Sequence, residues 1–460
     1  MKIFFIILFS VYAFYISAQT KIIQGTLKDF EEGAVVYLKS FTGANINTID
    51  SAVLDKGGKF VFANTTRPKF GLHQFAVGQY TVAFPMPKND LKVEIEASLE
   101  SLKNGSIVLK NSSEMVAYQE LNAIVKSIKE WQETNKNAVK QLNRFDRRFK
   151  ALSDSLHLKN VAQLKQFNNQ LDAFSKKYFG TYSAEILAPL YKSPAKEFLA
   201  STDSLYDTPA SYYHYHFFDF VNVKEEGTIY NAVIEEKILD YLRQYITPSP
   251  EGVKEGIDII IRKFSANNTV KEFVVSYLLD LASQRNDMEI SEYIFKNYYS
   301  EGCESNLKPQ TAALLENIKK LMPGMPAPEI ELINTDSKRL KLSEVKGKKA
   351  VMVYFWSSGC SFCKEATPKL KTLYENYKAK GLEIFAVSLD QDYAAWTAYL
   401  EENKINWLNV TELKGWQTRA LEAYSVTGTP TYFLLDGNLK IVSRHGSFDG
   451  AEKAVKELLD

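Results

Sequence analysis

Cysteine is scarce: 460 residues contain three, Cys303, Cys360 and Cys363, too few to staple a chain of this size, so the closely spaced pair is expected to be reactive rather than structural. Net charge is nearly absent as well. The 56 Lys and Arg against 55 Asp and Glu leave a formal +1, which supplies no general field for drawing in nucleic acid or an anionic membrane. Past the N-terminus no stretch is long and apolar enough to span a bilayer. The length, at roughly 150 residues per domain, predicts about three domains, each able to bury a core.

The N-terminus is the exception to this shortage of apolar runs. Lys2 supplies a positive region, Ile3 to Ile16 are almost entirely apolar, and the small residues Ser17 and Ala18 follow, the pattern of a secretory signal over 1–18. An uncleaved anchor is the alternative, but the run falls short of the roughly 20 residues a spanning helix needs. No cysteine lies near the cleavage region, so a lipoprotein is not expected.

Three composition regimes follow. Over 19–111, short alternating runs such as Lys21 to Leu27, Ala34 to Leu38 and Lys59 to Phe62 are punctuated by Gly, Asn and Pro, predicting an all-β, antiparallel sandwich with Asp55-Lys56-Gly57-Gly58 as a hairpin turn. Over 112–320, glycine and proline become rare. Apolar residues then recur at helical spacing, as in Met115, Tyr118, Leu121, Val125 and Ile128, predicting a mostly α-helical middle domain. Pro323 to Pro328 breaks that pattern. Over 321–460 two runs suited to buried strands, Ala350 to Phe355 and Leu382 to Leu389, flank a helical stretch from Cys363 to about Tyr377, and a hairpin turns at Asp436-Gly437-Asn438. This predicts an α/β domain built on a right-handed βαβ unit.

The chemistry gathers at Cys360-Ser361-Phe362-Cys363. The motif follows a strand and opens a helix, where unpaired N–H groups and the helix dipole favour an anion and lower a thiol pKa. Two intervening residues place the second sulfur about one helical turn on, within reach of a reversible disulfide. Half of a zinc site has the same spacing, but zinc needs two further ligands, and this domain has no second pair and one histidine, His445. Redox chemistry, with Cys360 attacking and Cys363 resolving, is the expectation.

With Thr429-Pro430 added, the sequence resembles the exported TlpA, ResA and CcmG-like branch of the thioredoxin superfamily over about Leu321 to Asp460. The resemblance rests on Gly324 with Pro326-Ala327-Pro328, Leu342-Ser343, Gly347-Lys348, Phe355-Trp356 before the cysteines, Pro368 after them, Val387-Ser388 with Asp390, and Gly428-Thr429-Pro430 before Phe433-Leu434. It implies a thioredoxin-like fold and a cis Pro430 packed against the cysteines. The Thr429 backbone would then be free to pair with an extended substrate, with Trp356 and Phe362 shaping the surface around the sulfur. It also implies a periplasmic oxidoreductase with no cofactor beyond the Cys360–Cys363 disulfide couple. Its substrates would be disulfides of exported proteins, apocytochromes among the candidates, and its electrons would come from a membrane thiol transporter. A β domain and a helical domain ahead of such a module resemble an arrangement of the Bacteroides group.

Three positions depart from the family pattern. Tyr354 stands where thioredoxin has a buried aspartate before Phe-Trp, Ala366 where the ResA-like branch has a glutamate, and Gly359 where an aromatic usually precedes the first cysteine. Glu365 lies one position early, about 100° round the helix. The usual proton acceptors for the resolving thiol are therefore missing.

Weaker features carry blander expectations. Tyr212 to Phe218, with His214 and His216, is read as aromatic packing, since no third metal ligand is nearby. Arg144, Arg147, Arg148 and Lys150 form a solvated helix face, and Cys303 is a loop thiol with a mixed disulfide to Cys360 as the alternative role. Two competing functions remain. A peroxide reductase of the peroxiredoxin type needs a Pro-x-x-x-Thr-x-x-Cys arrangement, whereas Ser357 and no suitable proline precede Cys360. A copper or haem chaperone would use the thiols as soft ligands. Neither nucleic acid nor metal is expected as a partner, and a peptide or glycan role for the front domains stays open.

Overall fold

Alternation of apolar and polar residues puts every second side chain on one face of a strand, and the N-terminal segment follows this rule in the computed structural model. Residues 22–63, 69–88, 92–140, 147, 149–196, 209–285, 287–300, 303, 307–345 and 348–460 are described. The expected signal, 1–18, lies outside them, as do Arg144 and Arg148. Among the described residues no helix is long and apolar enough to cross a membrane.

The described chain divides into two compact units, 1–277 and 278–460. In the first, eight strands are β1 Ile22–Lys28, β2 Val35–Thr42, β3 Asn45–Val53, β4 Lys59–Phe62, β5 Leu72–Val77, β6 Tyr80–Pro85, β7 Lys92–Ser98 and β8 Val108–Leu109. They form two four-stranded sheets, ordered β4-β1-β7-β8 and β3-β2-β5-β6. Both contribute to one core, with Ile23, Phe60, Val93 and Ile95 from one and Val36, Leu38, Phe75 and Phe84 from the other. Two local expectations are corrected. β1 and β7 pair in parallel, so the sandwich is not wholly antiparallel. The Asp55–Gly58 turn is closed by Asp55 Oδ1, which accepts from Gly57 and Lys59 N–H at 2.8 Å, yet it passes the chain from one sheet to the other instead of closing a hairpin.

The same unit holds the helices Glu114–Lys140, Phe149–Lys177, Val233–Gln244 and Pro250–Lys263. Sandwich and helices cluster together because backbone bonds tie them. Gly43 N–H donates to Ile229 O at 2.7 Å and Leu72 N–H to Tyr230 O at 2.9 Å. His214 and His216 lie in an aromatic cluster as expected, His216 stacked on Tyr212 at 4.3 Å and His214 bonded to Tyr245 O at 2.8 Å.

The second unit opens with helices Met288–Tyr298 and Pro309–Lys320, which the sequence pattern had grouped with the middle of the chain. Arg444 explains the difference: its Nη1 meets Glu292 Oε1 at 2.7 Å and its Nη2 donates to Ser425 O at 3.0 Å, holding the first of these helices to the sheet. The Pro323 to Pro328 stretch is likewise no free linker. Gly324 N–H donates to Ile441 O at 2.7 Å and Ala327 N–H to Leu439 O at 2.9 Å.

A seven-stranded sheet follows, made of β9 Glu331–Asn334, β10 Arg339–Lys341, β11 Ala350–Trp356, β12 Leu382–Ser388, β13 Leu408–Thr411, β14 Thr431–Asp436 and β15 Ile441–His445. Its order is β10-β9-β13-β12-β11-β14-β15. β11 and β12 are parallel and joined by helix Ser361–Tyr377, and β14 runs antiparallel beside β11. β11 and β12 are buried along their whole length, because helices Ser361–Tyr377 and Phe448–Leu459 share a core with one face of the sheet while a second core covers the other. That double cover explains their unbroken apolar runs.

Candidate active site

The end of β11 delivers Ser357 to Gly359 and then Cys360, which caps the N-terminus of helix Ser361–Tyr377. Its sulfur accepts the Cys363 N–H at 3.2 Å, and its thiol donates to Thr429 O at 3.5 Å. Cys360 and Cys363 are not joined by a disulfide. The Thr429–Pro430 peptide is cis and immediately precedes β14, the neighbour of β11, so chain segments about 70 residues apart meet at one sulfur.

Two opposite environments result. Partial burial works against a charge on Cys360, but hydrogen bonds involving Cys363 and Thr429 and the amides of Cys363 and Phe362 outweigh it and hold the thiol below its ordinary value. Cys363 is fully buried. Burial first, and the neighbouring Cys360 second, push its thiol up to about 12. Cys360 is thus the more readily ionised of the two sulfurs, and Cys363 the one held protonated.

The turn before Cys360 is fastened by Asp390, a carboxylate 8% exposed just beyond β12. It accepts from Ser358 N–H at 3.1 Å, Ser358 Oγ at 2.6 Å, Ser357 Oγ at 3.2 Å and Ser388 Oγ at 2.7 Å. Sequence reasoning used Asp390 only as a family landmark. Its clamp was detectable in principle as Ser-x-Asp ending a buried strand, but its partners come from another strand end.

Phe362, two residues after Cys360 in the first turn of the helix, is 68% exposed, and Thr429 is half-buried. Trp356 is corrected. It is 1% exposed, stacked near Tyr354 and against Tyr399, and therefore supports the motif from beneath instead of lining a surface. A surface tryptophan that sequence reasoning missed, Trp416, lines a depression of about 390 Å³ with Arg419, Val426 and Thr427, two residues from Thr429. Glu365 is exposed, whereas Ala366 shares the buried face of Cys363, so no carboxylate on this helix reaches the resolving thiol. Cys303 is also buried, its sulfur 3.6 Å from Ser300 Oγ. Among the described residues no group of three or more His, Cys, Asp or Glu is close enough to hold a metal.

A thioredoxin-like sheet with a dithiol at a helix N-terminus defines a class, the thiol-disulfide oxidoreductases, and comparison with known proteins agrees. A redoxin family model matches residues 322–459, and a model for a domain of unknown function (DUF4369) matches residues 22–118. The thiol-disulfide oxidoreductase ResA of Bacillus subtilis is 31% identical over 130 residues, 28% of this chain and 70% of that protein. ResA of Bacillus cereus is 31% identical over 126 residues, 27% of this chain and 70% of that protein. The thioredoxin domain of a thiol-disulfide oxidoreductase from Bacteroides vulgatus is 34% identical, covers 30% of this chain and 99% of that one, and has a TM-score of 0.29. The chain belongs to the TlpA/ResA/CcmG-like branch of the thioredoxin superfamily and is a thiol-disulfide oxidoreductase.

Proposed function

We propose that Cys360 and Cys363 are the redox couple and that the protein, exported to the periplasm, reduces disulfides of other exported proteins. The observation that carries this is the contrast between the sulfurs: Cys360 at the helix cap, accepting the Cys363 amide and held below its ordinary pKa, and Cys363 buried with its thiol pushed up to about 12. The Cys360 thiolate attacks a substrate disulfide, forming a mixed disulfide and releasing one substrate sulfur. Thr429, with Phe362 beside the sulfur, pairs with the extended substrate next to Pro430. Cys363 then attacks Cys360 Sγ, the second substrate sulfur leaves with the electron pair, and the couple is oxidised. In the mixed disulfide Cys360 carries no charge, so one of the two causes that hold Cys363 protonated disappears when its ionisation is needed.

The reducing direction, a membrane thiol transporter as donor, and the absence of any other cofactor complete the proposal. Trapping tests the roles. Cys363→Ser should accumulate mixed disulfides with exported proteins and Cys360→Ser none; equal trapping by both overturns the assignment. The equilibrium potential tests the direction. A value near about −270 mV supports a reductase, whereas one near about −120 mV marks a disulfide donor.

A further inference from the structure

Tyr354 and Tyr432 sit directly opposite each other on β11 and β14, their rings 4.9 Å apart and within 5° of parallel. Tyr354 is also stacked at 6.2 Å on Trp356. All three share the core that contains Cys363, and all three are essentially inaccessible to solvent. Yet the indole N–H of Trp356 has no hydrogen-bond partner among the described residues, and the hydroxyls of Tyr354 and Tyr432 have none within ordinary hydrogen-bond distance, their polar neighbours being each other and the Cys363 sulfur. Phenylalanine would fill the same space without desolvating a hydroxyl. Packing therefore accounts for the rings but not for the two oxygens.

The sulfur they adjoin is the one that lacks a proton acceptor. The groups facing Cys363 are Cys360, the Ser357 backbone, the Thr429 side chain, Tyr354 and Tyr432, and on its own helix Ala366 and Thr367, whose hydroxyl donates to Cys363 O at 2.8 Å. The carboxylate at this end of the sheet, Asp390, is occupied by Ser357, Ser358 and Ser388. Burial first, then Tyr432 and Cys363, keep the Tyr354 phenol protonated far above its ordinary range, so it serves only as a donor.

We propose that Tyr354, supported by Tyr432, is a catalytic residue of the resolving step, its hydroxyl donating a hydrogen bond to the Cys363 sulfur as the thiol gives up its proton. Resting on the Cys360–Cys363 couple proposed above, this replaces a carboxylate base by a neutral donor. The Cys363 proton passes to water. The Cys363–Cys360 bond forms, the Cys360–substrate bond breaks, and the departing substrate thiolate takes a proton from water, while Tyr354 keeps its own. The orphaned hydroxyls thus gain their partner at the one stage when a buried thiolate exists.

Ellman's reagent separates the stages in the full-length reduced protein, because attack by Cys360 releases one chromophore and resolution by Cys363 a second. Tyr354→Phe should raise the Cys363 pKa by about one unit, lowering its thiolate population about tenfold. The more basic thiolate regains about threefold in nucleophilicity, so the second phase slows about threefold below the pKa. Its rise with pH moves up by about one unit, and the first phase changes less than twofold. Tyr432→Phe should give a smaller change in the same direction. A purely structural role would alter both phases or neither. If both variants leave the second phase and its pH profile unchanged, or slow both phases equally, the proposal is overturned. Absence of any second phase in the unsubstituted protein would instead overturn the redox couple itself.

Discussion

Replacing Asp390 by alanine should loosen the ground on which Cys360 stands. Four donors lose their acceptor: the Ser358 amide and the hydroxyls of Ser357, Ser358 and Ser388. Ser357 and Ser358 are half-buried and their hydroxyls turn to water, but Ser388 is fully buried and an amide cannot turn. A hydrogen bond to a charged acceptor is worth about 1.5–3 kcal/mol, so two uncompensated losses cost roughly 3–6 kcal/mol. Asp390→Asn keeps the shape and one acceptor oxygen, and should cost about half of that. Of the five tryptophans, Trp356, Trp396, Trp407 and Trp416 lie in the second unit, so fluorescence during urea unfolding reports mainly on it. With two units present the transition is analysed as a multistate one. Because Cys360 N–H donates to Ser357 O at 3.1 Å, the loosened turn should also raise the pH needed for Cys360 alkylation. A loss below about 1 kcal/mol in Asp390→Ala would refute the reasoning.

Two further outcomes are expected. Since the Cys360 thiol is held below its ordinary value and Cys363 is pushed up to about 12, raising the pH should switch on alkylation of Cys360 at a midpoint below that of an unperturbed cysteine. Cys363 should stay unmodified throughout that range, which peptide mapping checks; modification of both together would contradict it. In the first unit a Cβ on Gly25 would fall 2.2 Å from Ile95 O and 2.5 Å from the Phe60 ring. Gly25→Ala should therefore lower the stability of that unit by about 1–3 kcal/mol, as overpacking does, leaving the redox potential unchanged; circular dichroism melts and thiol titration follow the two effects.

Much of this architecture is local in origin. Helical spacing marked the helices of the middle segment, such as Gly252 to Phe264 within the observed Pro250–Lys263 and its Phe264 cap, since the 3.6-residue period is a property of neighbours along the chain. The site was legible for the same reason. Strand, Cys-x-x-Cys and helix are contiguous, so Cys360 at a cap and Cys363 one turn on followed from spacing alone.

What spacing leaves open is which non-local partner each side chain meets. Phe355 and Trp356 end a strand covered on both faces, so Trp356 went inside although its neighbour in sequence is a surface turn. The parallel pairing of β1 with β7 and the attachment of Met288–Tyr298 through Glu292 and Arg444 join residues far apart in the chain. The clamp of Asp390 on Ser357 and Ser358 depends on β11 and β12 ending side by side. The register that sets Tyr354 against Tyr432 belongs to β11 and β14 together. The sequence by itself therefore determined the Cys-x-x-Cys motif and the kinds of element that carry it, because both are written in consecutive residues. Only the tertiary structure decided how readily each thiol ionises and what surrounds it, because burial and hydrogen bonding are set by segments that folding alone brings together.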